Sequence, residues 1–159
     1  FDFRINGTWL DKYEQQAGGI AASLVTAQAA GTLPASVPVT GFADLVRQDG
    51  NPETKQTARV SWRRDAWGAS LTALRIGDFI QTSLTLPTGE EWRLPSMTTY
   101  NLSVDYRFKV MEDGDTRVKL GANNLFDKRA PLADDSFGYF ADQHSDLGRY
   151  LYLEVQYSL

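Results

Sequence analysis

Apolar and polar residues alternate with a period of two along six stretches of this chain, and a helical period does not recur. That alternation narrows the choice of folds, because only an extended strand puts every second side chain on the same face. In the first stretch Phe1, Phe3, Ile5 and Trp9, with Gly7 among them, oppose Asp2, Arg4, Asn6 and Thr8. In the second, Ala58, Val60 and Trp62 oppose Thr57, Arg59, Ser61 and Arg63. The third sets Trp67, Ala69, Leu71 and Ala73 against Gly68, Ser70 and Thr72, and runs to about Ile76. The fourth is the clearest: Tyr100, Leu102, Val104, Tyr106 and Phe108 alternate with Asn101, Ser103, Asp105, Arg107 and Lys109. The fifth opposes Val118, Leu120 and Ala122 to Arg117, Lys119 and Asn123. The last opposes Leu151, Leu153, Val155, Tyr157 and Leu159 to Tyr152, Glu154, Gln156 and Ser158.

Soluble antiparallel sheets alternate too, so the connections carry the discrimination. Two are tight turns, at residues 64–66 and 111–115, where Asp113-Gly114 is expected to supply the positive φ of a short hairpin. Three are long, at residues 11–53, 77–97 and 127–146. Short and long connections alternate strictly. Structureless loops above roughly 15 residues are uncommon in compact soluble domains. Membrane barrels, in contrast, carry short turns at one rim and long loops at the other. The chain is therefore expected to be all-β, an antiparallel transmembrane β-barrel segment of six strands. Within the first long loop, residues 17–39 are rich in Ala, Gly, Ser, Thr and Pro and read as flexible. A short helix over residues 20–30 is the alternative, against which Thr26 and the flanking glycines count.

Aromatic placement agrees with a bilayer. Trp62 and Trp67 flank the first tight turn, and Tyr106 and Phe108 precede the second. Trp9 and Tyr100 lie at the opposite strand ends, so two belts form, as amphipathic rings do at two membrane interfaces. The mean hydropathy of -0.36 does not oppose this, since only alternate residues of a barrel strand face lipid. No run approaches the roughly 20 apolar residues of a membrane helix. The net charge of -4 argues against a nucleic-acid partner, which needs a basic face. With no cysteine, neither a disulfide framework nor a thiolate metal site can form. The chain opens on Phe1-Asp2-Phe3, without an initiator Met or signal peptide, which suggests processing or a fragment.

One segment carries a resemblance. Gly121-Ala122-Asn123-Asn124-Leu125-Phe126-Asp127-Lys128-Arg129-Ala130-Pro131 resembles the G-x-x-N-L-F-D-K-x-x-P segment near the C-terminus of TonB-dependent outer-membrane receptors. Gly148-Arg149-Tyr150 followed by a terminal alternating strand is similar to the same family, as are Arg59-Val60-Ser61-Trp62-Arg63 and Leu74-Arg75-Ile76-Gly77-Asp78-Phe79. Pro95-Ser96-Met97-Thr98-Thr99-Tyr100, leading into the fourth strand, fits as well. The likeness covers most of residues 54–159 and is weaker over 1–53. It implies a barrel of about 22 strands with an N-terminal plug, of which this chain supplies the last six strands without the plug. It further implies residence in the bacterial outer membrane, periplasmic tight turns, extracellular long loops and a periplasmic Leu159. The implied partners are the rest of the barrel, the plug, the TonB–ExbB–ExbD system, the barrel-assembly machinery and outer-membrane lipid. The implied assembly signal is Val155, Tyr157 and Leu159; the family usually ends in Phe, so the last position is atypical.

The implied work is energised import of a scarce nutrient such as a ferric siderophore or an oligosaccharide. Candidate ligand contacts lie in the long loops: Trp92, Phe137, Tyr139 and Phe140 for stacking, Asp142 and His144 for polar contact. The same aromatics could instead anchor loop to loop, and the acidic residues Asp134, Asp135, Asp142 and Asp146 could be a solvated surface, since their spacing matches no ion-binding loop. Arg59, Arg63, Arg107, Lys109, Arg117 and Lys119 share one strand face with Asp105 and Glu154. They read as a basic track for an anion, or as ion pairs from wall to plug or from wall to wall. No cofactor, metal or catalytic residue is expected. A passive porin is the alternative function. A barrel hydrolase built on Asp142, His144, Ser145 and Asp146 is a weaker one, because sequence proximity does not make a catalytic set.

Overall fold

A computed structural model of the chain describes residues 1–40, 42–110 and 114–158. The strands are β1 (Asp2–Trp9), β2 (Glu14–Gln15), β3 (Ala43–Asp44), β4 (Thr54–Arg64), β5 (Trp67–Ile76), β6 (Phe79–Thr85), β7 (Glu91–Leu94), β8 (Met97–Val110), β9 (Gly114–Asn123) and β10 (Tyr150–Ser158). One helix, α1 (Gly19–Ala29), lies between β2 and β3. Six strands form a single sheet in the order β1-β4-β5-β8-β9-β10, and all neighbours are antiparallel. The sheet is not closed: β1 and β10 each have one neighbour in it. The other four strands make two small ribbons, β2–β3 and β6–β7, inside the long connections.

All six alternating stretches are strands of this sheet. Several run further than alternation reaches. Thr54, Lys55 and Gln56 offer no apolar alternation, yet Lys55 pairs with Ile76 and Gln56 with Arg75, so the backbone ladder continues β4 into them. The connection 77–97 is not structureless: it contains the β6–β7 hairpin, and its last residue, Met97, opens β8. The connection 127–146 extends further on both sides, from the end of β9 at Asn123 to the start of β10 at Tyr150. The helix forms despite Thr26, whose hydroxyl is satisfied within it by donating to Ala22 O at 2.9 Å; no residue of α1 is buried.

At the first tight turn Asp65 takes φ +51°, a left-handed conformation that Asp tolerates better than most residues. At the second turn Gly114 opens β9, and a Cβ there would stand 2.5 Å from the Tyr157 ring and 2.6 Å from Val110 O, so close approach requires glycine. Residues 111–113 of that turn, and the assembly-signal residue Leu159, lie outside the described residues.

The register puts the alternation of all six strands in phase. Phe3, Val60, Leu71, Leu102, Ala122 and Leu151 form one cross-strand row with a residue from each strand. The next row, on the opposite face, is Asp2, Ser61, Ser70, Ser103, Gly121 and Tyr152. One face is thus apolar from edge to edge and the other polar. The apolar face is uncovered: Phe3 is 72% exposed, Leu151 76% and Leu153 63%. A folded soluble monomer of this mass exposes about 7,900 Å², and this chain exposes 11260 Å². Its fully enclosed apolar side chains, Phe79 and Leu94, lie in the β6–β7 ribbon and not in the sheet.

Glycine placement serves the polar face. Gly121 lies beneath the Tyr152 ring of its partner strand, and a Cβ there would collide with that ring. We predict that Gly121→Val destabilises the fold by about 1–3 kcal/mol through overpacking, and that adding Tyr152→Ala recovers much of the loss. Denaturant unfolding of the two variants checks this; equal instability of the single and double variants would refute the steric account.

Candidate functional site

The segment that carries the family resemblance forms the joint between β9 and β10. Asn124 takes φ +49° and ends β9. Its side chain spans a turn, accepting from Lys128 N at 2.9 Å and donating to Lys128 O at 2.7 Å. Leu125 N donates to Tyr100 O at 2.7 Å and Asn124 N to Asn101 Oδ1 at 2.9 Å, which ties the turn to β8. Phe126 packs edge-on against Tyr100, with ring centroids 5.4 Å apart. Asp127 then accepts from Arg149 N at 2.7 Å. Gly148, at φ +73°, leaves room for that carboxylate, because a Cβ would stand 2.8 Å from its Oδ1. The two halves of the resemblance, Asn-Leu-Phe-Asp and Gly-Arg-Tyr, are therefore bonded to each other.

Beyond this joint the long connections interlock at one end of the sheet. Phe79 from β6 meets the edge of Phe140 at 5.1 Å and stacks on His144 at 5.9 Å with planes 17° apart. Gln81 exchanges two hydrogen bonds with the backbone of Asp134, at 2.7 and 2.9 Å. The Trp92 indole N–H donates to Leu132 O at 2.9 Å. Asp49 accepts from Thr82 N at 2.9 Å and from its hydroxyl at 2.5 Å. Asp78 bridges Arg47 and Arg93, each at 2.5 Å. Burial would raise the Asp78 pKa, but the two guanidinium bonds outweigh it and hold the carboxyl below its ordinary range. Arg129 grips Asp146 through both carboxylate oxygens, and with the Ala130 N–H lowers that carboxyl to about 2.

The expected contact residues do not converge on one point. Trp92 anchors loop to loop, the second of the two roles open to it. Phe137 and Tyr139 pair at 6.4 Å, with Phe137 73% exposed, and Trp92 is not in ring contact with them. Asp142 is exposed. His144 is 5% exposed, and neither ring nitrogen has a hydrogen-bond partner. It makes no bond to Ser145, Asp142 or Asp146, so the orienting contact that a catalytic imidazole requires is not formed. Val155 and Tyr157 lie on the apolar face of β10, both exposed. Among the described residues no group of three or more His, Asp and Glu is placed to hold a metal ion. No helix among them is long and apolar enough to cross a membrane, which says nothing about strands.

The polar face of the sheet carries ion pairs among its own strands. Asp105, buried, accepts from Arg117 at 2.9 Å, with Arg63 at 3.6 Å and Arg107 at 4.0 Å. Lys119 pairs with Glu154 at 3.5 Å and sits 5.3 Å from the Tyr152 ring centre. Sequence reading did not single out Gly68, whose role is to admit Asp105: a Cβ there would lie 2.7 Å from Oδ1. The signal was present in the cross-strand position, but only the register reveals it.

No family model, curated protein or solved structure matches the chain.

His144 gives the loop cluster a pH dependence. Burial, and then the Lys55 charge, push its pKa below the ordinary 6.5. Between the two values the unfolded chain binds more protons, so stability rises with pH across that window. The contribution is complete above 6.5 and is lost as pH falls through 6.5 toward the folded value. We expect amide-exchange protection of residues 124–149 to fall between about pH 7.5 and pH 5, while β4 and β5 keep theirs. His144→Phe should remove the difference; its persistence in that variant would assign it to other groups.

Proposed function

We propose that this chain is wall and outer loops of a transmembrane β-barrel in the bacterial outer membrane, part of a TonB-dependent receptor that imports a scarce nutrient. The uncovered apolar face carries the membrane reading. Lipid solvates such a face, and water does not. The polar face then lines the lumen. The rings of Trp67 and Tyr106, 4.7 Å apart, and of Phe108 mark one rim, and Trp9, Tyr100 and Phe126 the other. The wall strands have 8 to 14 residues, against the 9–11 or so that a tilted strand needs to span a bilayer. The open edges of β1 and β10 require further strands, because lipid cannot satisfy unpaired backbone groups. The bonded pair of motifs around Asp127 and Arg149 supports the narrower family reading. In that reading the partners are the remaining wall, a plug, TonB–ExbB–ExbD, and the barrel-assembly machinery acting on β10.

Adjacent residues test the orientation. Leu71→Arg, in the middle of the apolar row, is expected to cost about 2–4 kcal/mol of stability in lipid vesicles. Thr72→Arg, on the other face, is expected to cost under about 1 kcal/mol. Equal costs, or recovery of the native protein in the aqueous fraction, would sink the membrane reading. Conductance of the protein with all its native N-terminal sequence separates the two transport readings. A plugged receptor gives almost no steady current in a planar bilayer, whereas a large ohmic step would assign a passive porin.

A further inference from the structure

We propose that the hollow between the polar face and residues 143–148 binds a small, uncharged, hydroxyl-rich ligand of the sugar type. The inference rests on the import reading above and names its substrate class. The hollow measures about 380 Å³, within the roughly 300–1,000 Å³ of small-molecule sites. The sheet contributes Thr99, Asn101 and Asn123; the loop contributes Gln143, His144 and Ser145. No lining residue carries a charge other than the titratable His144, which burial holds toward its neutral form. This contrasts with the turn end of the same face, where Arg63, Arg107 and Arg117 surround Asp105.

An ion entering the hollow would shed water and meet no opposite charge among the lining residues, a costly exchange; the Lys55 charge that acts on His144 lies outside the lining. A neutral polyol loses little and finds donors and acceptors, since each amide offers both. Several of these groups are unspent. Among the described residues, Thr99, Asn123 and Ser145 make no side-chain hydrogen bond. Gln143 Oε1 and both His144 nitrogens are buried without a partner, although buried polar groups are nearly always paired. A ligand hydroxyl at this edge would supply the missing partner. Leu74, Ile76 and Met97 line the hollow as well and offer an apolar surface to the C–H face of a sugar ring.

Calorimetry on the full-length protein in detergent tests the proposal, with maltose, trehalose and sucrose as neutral probes, citrate as anion and spermidine as cation. Saturable binding of at least one sugar is expected, with none of citrate or spermidine in the hollow. Thr99→Val and His144→Phe should each weaken sugar binding ten-fold or more, while Gln156→Leu, at the far end of the polar face, should leave it unchanged. His144→Phe keeps a ring against Phe79. Should that variant misfold, the isosteric Thr99→Val on β8 decides the matter. Absence of binding by all three sugars, tighter binding of citrate, or full affinity in Thr99→Val would overturn the proposal. Those outcomes leave the membrane reading standing, because membrane fractionation of the same preparation scores that reading separately.

Discussion

Shared parity across the six-strand ladder is the constraint on which the rest of the structure depends. A slip of one residue in any strand would turn its whole set of side chains over. In β8 that exchange would put Asp105, Arg107 and Lys109 among the leucines of the apolar row. Turn geometry can hold the register only where the connection is short, as at Arg64 and Trp67, which pair across a two-residue turn. Elsewhere, backbone bonds just beyond the strand ends take over. Leu10 N bonds Glu53 O, Gly77 N bonds Thr54 O, and Leu125 N bonds Tyr100 O. Each closes a ladder at the loop end, where a long connection gives no guidance of its own.

Once parity is set, the polar face has its own electrostatic condition to meet. Arg63, Arg107 and Arg117 gather around one position, and like charges so close repel unless a counter-ion intervenes. Asp105 is that counter-ion, and it reaches the centre of the group because Gly68 opposite has no side chain. A buried carboxylate is stable only when paired, and three guanidiniums supply the pairing. The glycine and the aspartate thus form one feature of the sheet, distributed over β5 and β8.

The sheet was legible in the sequence because its cause is local. Alternation at Tyr100 to Lys109 follows directly from which residues meet which solvent. The loop end was not legible, because its cause is contact between segments far apart in the chain. Nothing in the sequence around Phe79 shows that it stacks on His144, and nothing near Gln81 points to Asp134. For the same reason the candidate contacts came apart. Trp92, Phe137, Tyr139, Asp142 and His144 were grouped by loop and chemistry, whereas the structure uses Trp92 as a tie, buries His144 and leaves Phe137 outside. Gly114 was read for backbone freedom, and the clearance it gives the Tyr157 ring could be seen only once the place of that ring was known.

The two regions also differ in how firmly they are held. In the six-strand sheet, strands of eight to fourteen residues share continuous ladders, so one strand cannot leave without releasing its neighbours' hydrogen bonds. The loop cluster closes around a few rings and on ties such as Asp78 with Arg47 and Arg129 with Asp146, whose arginines are largely exposed. Exposed ion pairs contribute little, with a median of about 0–1 kcal/mol. Segments with little buried apolar contact open locally at low cost. The buried, unpartnered nitrogens of His144 lower that cost further, since opening returns them to hydrogen-bonding solvent. The hollow lies between such a cluster and the sheet, so opening of the cluster alone would leave the register beneath it undisturbed.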